Sequence, residues 1–326
     1  MNRAKNVPPA EPTVGDFAAG SARVRLQRWF LATRPAFFPA SVAPVIVGSA
    51  WGYRTAGDFD WLVGVLALLA TVCVHLASNV LNDVGDDRSG TDRINEERIF
   101  PYTGGSRFIQ NGIMTSREML VLGSALLGLA ALFGLALLQL RGPAILIFGA
   151  AGVALGVLYS APPMQLSARG VGEATIAVAF GVLPVAGAAW LQSGRVDAAS
   201  LLISVPVSLW VAAILLMNEV PDRNADARAG KRTLVVRLGI TGTHRLYLAL
   251  HVVACAAFLA AGILELVPWW MGVIALALLP RAVAAGGGIL EPGDRARLTR
   301  SIEMTLQLQT AGCALLLVAI LLAALL

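Results

Sequence analysis

Long apolar runs alternate with short polar connectors along this chain. Runs long enough to cross a bilayer, which takes about 20 residues, fall at 36–53, 61–81, 118–139, 143–160, 172–191, 200–219, 246–264, 267–284 and 304–325. They are continuous, without the residue-by-residue alternation of a membrane β-barrel strand. The pattern predicts an all-α polytopic membrane protein, with nine transmembrane helices in a bundle around a central cavity. Residues 1–22 carry Pro8, Pro9, Pro12 and charges of both signs but no apolar stretch. They read as a flexible cytosolic tail and not as a signal peptide. The transmembrane domain then covers 23–326.

Composition excludes the soluble alternatives. Of 326 residues, 57% are hydrophobic and 14% charged, against about 45–50% and about 25% in an ordinary soluble domain. The net charge of +5 is explained by where the basic residues lie. With the N-terminus in the cytoplasm, 22 of the 25 Lys and Arg residues fall on the cytoplasmic side. Only Arg54, Arg141 and Arg195 lie opposite. This asymmetry is the positive-inside bias, so the charge orients the chain in a cell (inner) membrane and calls for no nucleic acid. Cys73, Cys255 and Cys313 sit inside apolar runs with no metal-binding spacing, as small packing residues do.

Chemistry concentrates in two predicted cytoplasmic loops, 82–117 and 218–245. Each opens at the end of an apolar helix with the same spelling, Asn82-x3-Asp86 and Asn218-x3-Asp222, the second continuing to Asp226. The repetition points to an internal duplication after the second and sixth spans. A spacing of four sets these side chains on one helix face. On the second span the polar stripe reaches back through Asp83 and Asn79 to His75, and such a stripe must face the bundle interior. Carboxylates at a helix C-terminus sit at the wrong pole of the helix dipole and need a cation. Carboxylate and amide oxygens, without His or Cys, suit Mg²⁺, which binds through one or two carboxylates plus water and phosphate. Arg88, Arg93, Arg98, Arg107, Lys231 and Arg232 add groups that bind oxyanions. The set describes a Mg²⁺–diphosphate site.

These residues resemble the UbiA superfamily of intramembrane prenyltransferases, over nearly the whole chain from Arg28 onward. Asn82-Asp83-x2-Asp86-x3-Gly90-x-Asp92 looks like its first Asp-rich motif and Asn218-x3-Asp222-x3-Asp226 like its second. The segments Thr33–Gly48 and Gly230–Gly239 are also similar. The resemblance implies Mg²⁺-dependent transfer of a prenyl group from a polyprenyl diphosphate to an aromatic acceptor. Asn82, Asp83, Asp86, Asp92, Asn218, Asp222 and Asp226 would hold metal, with Asp86, Asp222 and Asp226 central to catalysis. Arg93, Arg107, Lys231 and Arg232 would bind diphosphate, and Arg34, Asn79 and Tyr159 would line the substrate pocket. Phe100, Tyr102 and Trp210 are further aromatic candidates. Gly90 stands where other branches carry an acid, and Tyr159 is followed by Ser-Ala-Pro-Pro with no Lys. Both departures, and the stretch Tyr159–Glu173, look more like the MenA branch, which prenylates 1,4-dihydroxy-2-naphthoate for menaquinone. Pro221 inside the second motif is expected to kink its helix. The alternatives are another aromatic or lipid acceptor for the same chemistry, or a transporter with an acidic cation site.

Overall fold

The structure is a computed structural model and describes residues 11–89, 97–160 and 163–326. Every regular element in them is helical. A short helix α1 (Ala22–Ala32) precedes the bundle, its first turn capped by the Ser21 hydroxyl, which accepts the N–H of Val24. The bundle comprises α2 (Phe38–Ala56), α3 (Trp61–Ser89), α4 (Ser116–Arg141), α5 (Ile145–Ser160), α6 (Gly172–Ser193), α7 (Ala198–Arg228), α8 (Leu234–Ile263), α9 (Trp269–Gly286) and α10 (Arg295–Leu325). Among the described residues eight helices are long and apolar enough to cross a membrane. The other, α5, is equally apolar but has 16 residues.

Close packing of α2 on α6 rests on missing side chains. A Cβ on Gly48 would stand 2.2 Å from the Val185 carbonyl oxygen, and one on Gly52 would stand 2.6 Å from that of Ala189. Small residues four apart let helix backbones meet where lipid offers no hydrophobic drive. Trp51, Trp210 and Phe258 fill the layer that joins α2, α6, α7, α8 and α10. The lipid-facing wall is thinner. Leu132 and Leu135 of α4 and Ile147 and Val153 of α5 are exposed, and no residue of α5 is buried.

Two expectations need correction. The predicted loop 218–245 is mostly helix: α7 runs to Arg228 and α8 starts at Leu234, leaving a connector of five residues. Hydropathy marks the lipid-buried part of a helix, whereas backbone hydrogen bonding carries the helix on into water. The helix also continues through Pro206 and Pro221 as one element. The described part of the expected N-terminal tail is packed. Val14–Phe17 forms a 3₁₀ turn with a Thr13–Asp16 capping box, and Phe17 stacks obliquely on Phe108 at 5.5 Å.

Candidate active site

Both motifs ride on long helices that start at the same end of the bundle. The N–H of Asp60, just before α3, donates at 2.9 Å to Gln192 Oε1, in the last turn of α6 just ahead of α7. Arg141 clamps the same end through Asp60 Oδ2 at 2.7 Å and the Leu191 carbonyl, and Arg195 donates to the Thr55 carbonyl. From that common level Asp86 stands 25 residues along α3, and Asp222 stands 24 along α7. At about 1.5 Å per residue the two motifs come out level.

Lys231, in the connector after α7, joins them. Its ammonium lies 3.2 Å from Asp226 Oδ1 and within electrostatic reach of Asp86 and Asp222. Burial alone would lower the Lys231 ammonium, but Asp226, Asp86 and Asp222 outweigh it and hold the group above the usual lysine range. One cation therefore stands within electrostatic reach of carboxylates of both motifs. Asn82 donates its NH₂ to Asp86 Oδ2 at 2.8 Å, so its carbonyl oxygen is the atom it can present. The buried Asn218 Oδ1 has no hydrogen-bond partner among the described residues. Tyr159, at the end of α5, lies within electrostatic reach of Asp86 and Asp226 as well as of Glu173 and Glu219.

Asp83 is tied to the loop after α3 through one oxygen. Its Oδ2 accepts the N–H of Ser106 at 2.9 Å, and Arg34 stands 4.0 Å from Oδ1. Arg34 adopts a left-handed backbone (φ 56), donates to the Tyr102 carbonyl at 2.8 Å and lies over the Phe37 ring. It also feels Asp86. Arg107 is held on the Asp83 side, with Glu11 Oε2 3.7 Å from its Nε. Glu11 also binds Arg98 at 2.7 Å. Glu97 accepts from Asn224 of α7 at 3.0 Å, and Tyr102 donates to Glu303 of α10 at 3.2 Å. Burial and the neighbouring Glu303 push the Tyr102 hydroxyl up to about 12. The described segment 97–115 is thus tied to the N-terminal turn, the α1–α2 junction, α3, α7 and α10, and forms a cap at the motif ends of α3 and α7.

Asn79 donates to the Thr33 carbonyl at 3.0 Å and pairs with His75 Nε2 at 3.2 Å, while His75 Nδ1 pairs with Ser41 at 2.6 Å. Its amide is used between helices, which leaves only its oxygen for a pocket. Arg232 is exposed, and its N–H binds the Ala168 carbonyl. Trp210 is fully buried beside Gly312. Asp92 and Arg93 lie outside the described residues. Sequence reading missed the Glu173–Glu219 pair. A lone acid in the first turn of a helix reads as a dipole partner, and only the fold sets it against α7.

Residues 41–308 match the profile of the UbiA prenyltransferase family. The chain belongs to this family. It is a prenyl-transferring enzyme in a multi-pass membrane fold. A 1,4-dihydroxy-2-naphthoate octaprenyltransferase of Haemophilus influenzae is 32% identical over 79% of this chain and 84% of its own length. That of Mycobacterium tuberculosis is 32% identical over 80% and 86%. The structure of a UbiA homolog from Archaeoglobus fulgidus bound to DMAPP and Mg²⁺ superposes with a TM-score of 0.61 at 18% identity, covering 88% of this chain and 99% of that one. At that identity the likeness concerns the fold.

Proposed function

We propose that this UbiA prenyltransferase moves a prenyl group from a prenyl diphosphate to 1,4-dihydroxy-2-naphthoate, with Mg²⁺, at the cytoplasmic mouth of a bundle in the inner membrane. The observation that carries the reading is Lys231, flanked by Asp226 and Asp222 of one motif and Asp86 of the other. A diphosphate is the ligand that such a bridge of opposed charges fits. The acceptor follows the two naphthoate octaprenyltransferase relatives.

The donor set fits the metal. Asp86, Asp222, Asp226, Asn82 and Asn218 offer hard oxygens, and the orphaned Asn218 Oδ1 is a buried acceptor awaiting a partner. Among the described residues no three His, Cys, Asp or Glu side chains form a metal cage. Mg²⁺ usually completes its shell with phosphate and water. Bound there, Mg²⁺ would neutralise charge on the departing diphosphate. Lys231 supplies a fixed positive charge to the same oxygens. Tyr159 offers a ring face where positive charge grows on the allylic carbon. The capped mouth and the apolar helices keep water from that carbon. Asp83 and Arg34 hold the cap.

Purified protein should convert dihydroxynaphthoate and a prenyl diphosphate, with Mg²⁺, to a product identified by mass, in preference to 4-hydroxybenzoate. Asp86→Asn or Asp222→Asn should abolish transfer at normal protein level. Full activity in either variant overturns the site, and conversion of hydroxybenzoate alone overturns the acceptor.

A further inference from the structure

His75 begins the polar stripe of α3 and is buried, 5% exposed. Its ring packs on Phe38 at the start of α2 and on Phe180 of α6, with centroids 6.1 Å away in each case. Phe180 lies in a π-helical turn, Val178–Val182, an irregularity that recurs at functional sites. Both nitrogens of the imidazole are used. Nδ1 meets the Ser41 hydroxyl at 2.6 Å, and Nε2 meets the Asn79 amide nitrogen at 3.2 Å. The same amide nitrogen donates to the Thr33 carbonyl at 3.0 Å. A carbonyl can only accept, so that end of Asn79 is its NH₂. Nε2 must then accept as well, which leaves the ring proton on Nδ1, aimed at Ser41.

The chain Ser41–His75–Asn79 therefore ends on backbone. Thr33 is the C-cap of α1, where a helix leaves carbonyls without partners of its own. Arg34 follows in the left-handed conformation, φ 56 and ψ 61. A residue with a side chain stays there only where its surroundings over-determine it. The Arg34 N–H bonds the Leu31 carbonyl and the Thr33 hydroxyl bonds that of Phe30, so the turn closes on α1, and Asn79 ties it across to α3. The turn aims a charge. Arg34 donates to the Tyr102 carbonyl in the cap, stands 4.0 Å from Asp83, and is within electrostatic reach of Asp86 and of His75 itself. Phe37, beneath the guanidinium, and Phe38, against the imidazole, are consecutive residues. A buried imidazole costs more than an apolar ring unless its nitrogens are satisfied. Here satisfying them fixes the backbone beside a charged residue of the site.

We infer that His75 is a positioning residue for the prenyl diphosphate end of the site. It locks the Asn79 amide, Asn79 holds the Thr33 carbonyl, and the turn so held keeps Arg34 between the cap and the first motif. The inference rests on the diphosphate reading above, and His75 touches no reacting atom in it. Ser41 is the far anchor. Without its hydroxyl the Nδ1 proton loses its acceptor, and the other tautomer, which cannot accept from Asn79, gains ground.

His75→Phe keeps a ring and removes both nitrogens, whereas His75→Gln keeps an acceptor for Asn79. Affinity for a prenyl thiodiphosphate with Mg²⁺, read by calorimetry in detergent, should fall about tenfold in His75→Phe, the scale of one lost buried hydrogen bond. The loss should stay below about threefold in His75→Gln. In an Arg34→Ala background, His75→Phe should change affinity by less than about twofold, because residues acting through one another are not additive. A residue that merely packs α3 on α2 would give the same loss in both backgrounds. Amide hydrogen exchange at residues 33–37 needs no ligand. It should quicken in His75→Phe and not in His75→Gln. If the Phe variant does not fold, Ser41→Ala takes its place, with a loss of about threefold or more. Unchanged affinity, unchanged exchange, or an equal loss with Arg34 absent overturns the assignment. A wild type that binds no thiodiphosphate overturns the diphosphate reading alone, and exchange at 33–37 then decides His75.

Discussion

Replacing Lys231 by Gln removes the one ammonium shared by both motifs. At 3.2 Å from Asp226, its gross attraction is about 5 kcal/mol in an effective dielectric near 20. Lys231 is 35% exposed, so solvent screening and desolvation cut the net contribution to stability to about 1 kcal/mol. The catalytic loss is larger. A preorganised charge aimed at a leaving group is worth about 10²–10³ in kcat, or about 3–4 kcal/mol. The effect on metal has the opposite sign, because the carboxylates then keep their full negative charge. Lys231→Gln should therefore lower kcat about 100-fold while lowering the Mg²⁺ concentration for half-maximal rate. Both are read from a radiolabelled prenyl-transfer assay across a Mg²⁺ titration. Wild-type turnover, or a rise in the Mg²⁺ requirement together with the loss, would refute the idea that Lys231 serves the diphosphate.

Gly48→Leu should cost at least about 2 kcal/mol and lower the melting temperature in detergent, since even a Cβ meets the Val185 carbonyl oxygen at 2.2 Å. Gly134→Ala on the open face of α4 should be neutral or slightly stabilising in the same assay. The Val63 N–H, with Arg141, holds the Asp60 carboxyl below the usual range. Its stabilisation is thus present above the unfolded value and is lost as pH falls through the folded one. Melting temperature should drop as the pH falls below the ordinary carboxylate value, less so in Asp60→Asn. Tyr102→Phe removes the bond to Glu303 and should cost about 1 kcal/mol. Limited proteolysis should then cut the cap faster while kcat changes only a few-fold.

The helices, the duplicated Asn-x3-Asp spelling and the membrane class were legible because each follows from a local rule: span length, side-chain period or charge bias. The partners of Asp83, Arg34 and Arg107 were not. Asp83 sits in the first motif by spelling, yet one residue of helix rotation past Asn82 turns it about 100°, towards Ser106 and Arg34. Glu11 could not be read as a partner of Arg98, because 87 residues and three helices separate them. Glu173 was hidden for the same reason: its meaning depends on Glu219, which arrives from another helix.

The extent of α3 and α7 also argues against the transporter alternative. Helices of 29 and 31 residues measure about 44 and 46 Å, whereas the hydrocarbon core is about 30 Å thick. Each overshoots the core, and Asp86 and Asp222 fall in the last three turns. A substrate site for alternating access lies near the midplane, between two halves that can rock. Here the carboxylates are level with each other, at one end, under a cap tied to five elements. That geometry holds a charged head group at the surface while its hydrocarbon chain stays in the bundle or the lipid. Shortening both helices by one turn on the far side of the motifs would keep every motif residue and draw the site into hydrocarbon. Such a variant should insert normally and lose prenyl transfer, and if it kept activity, depth would not be what defines this site.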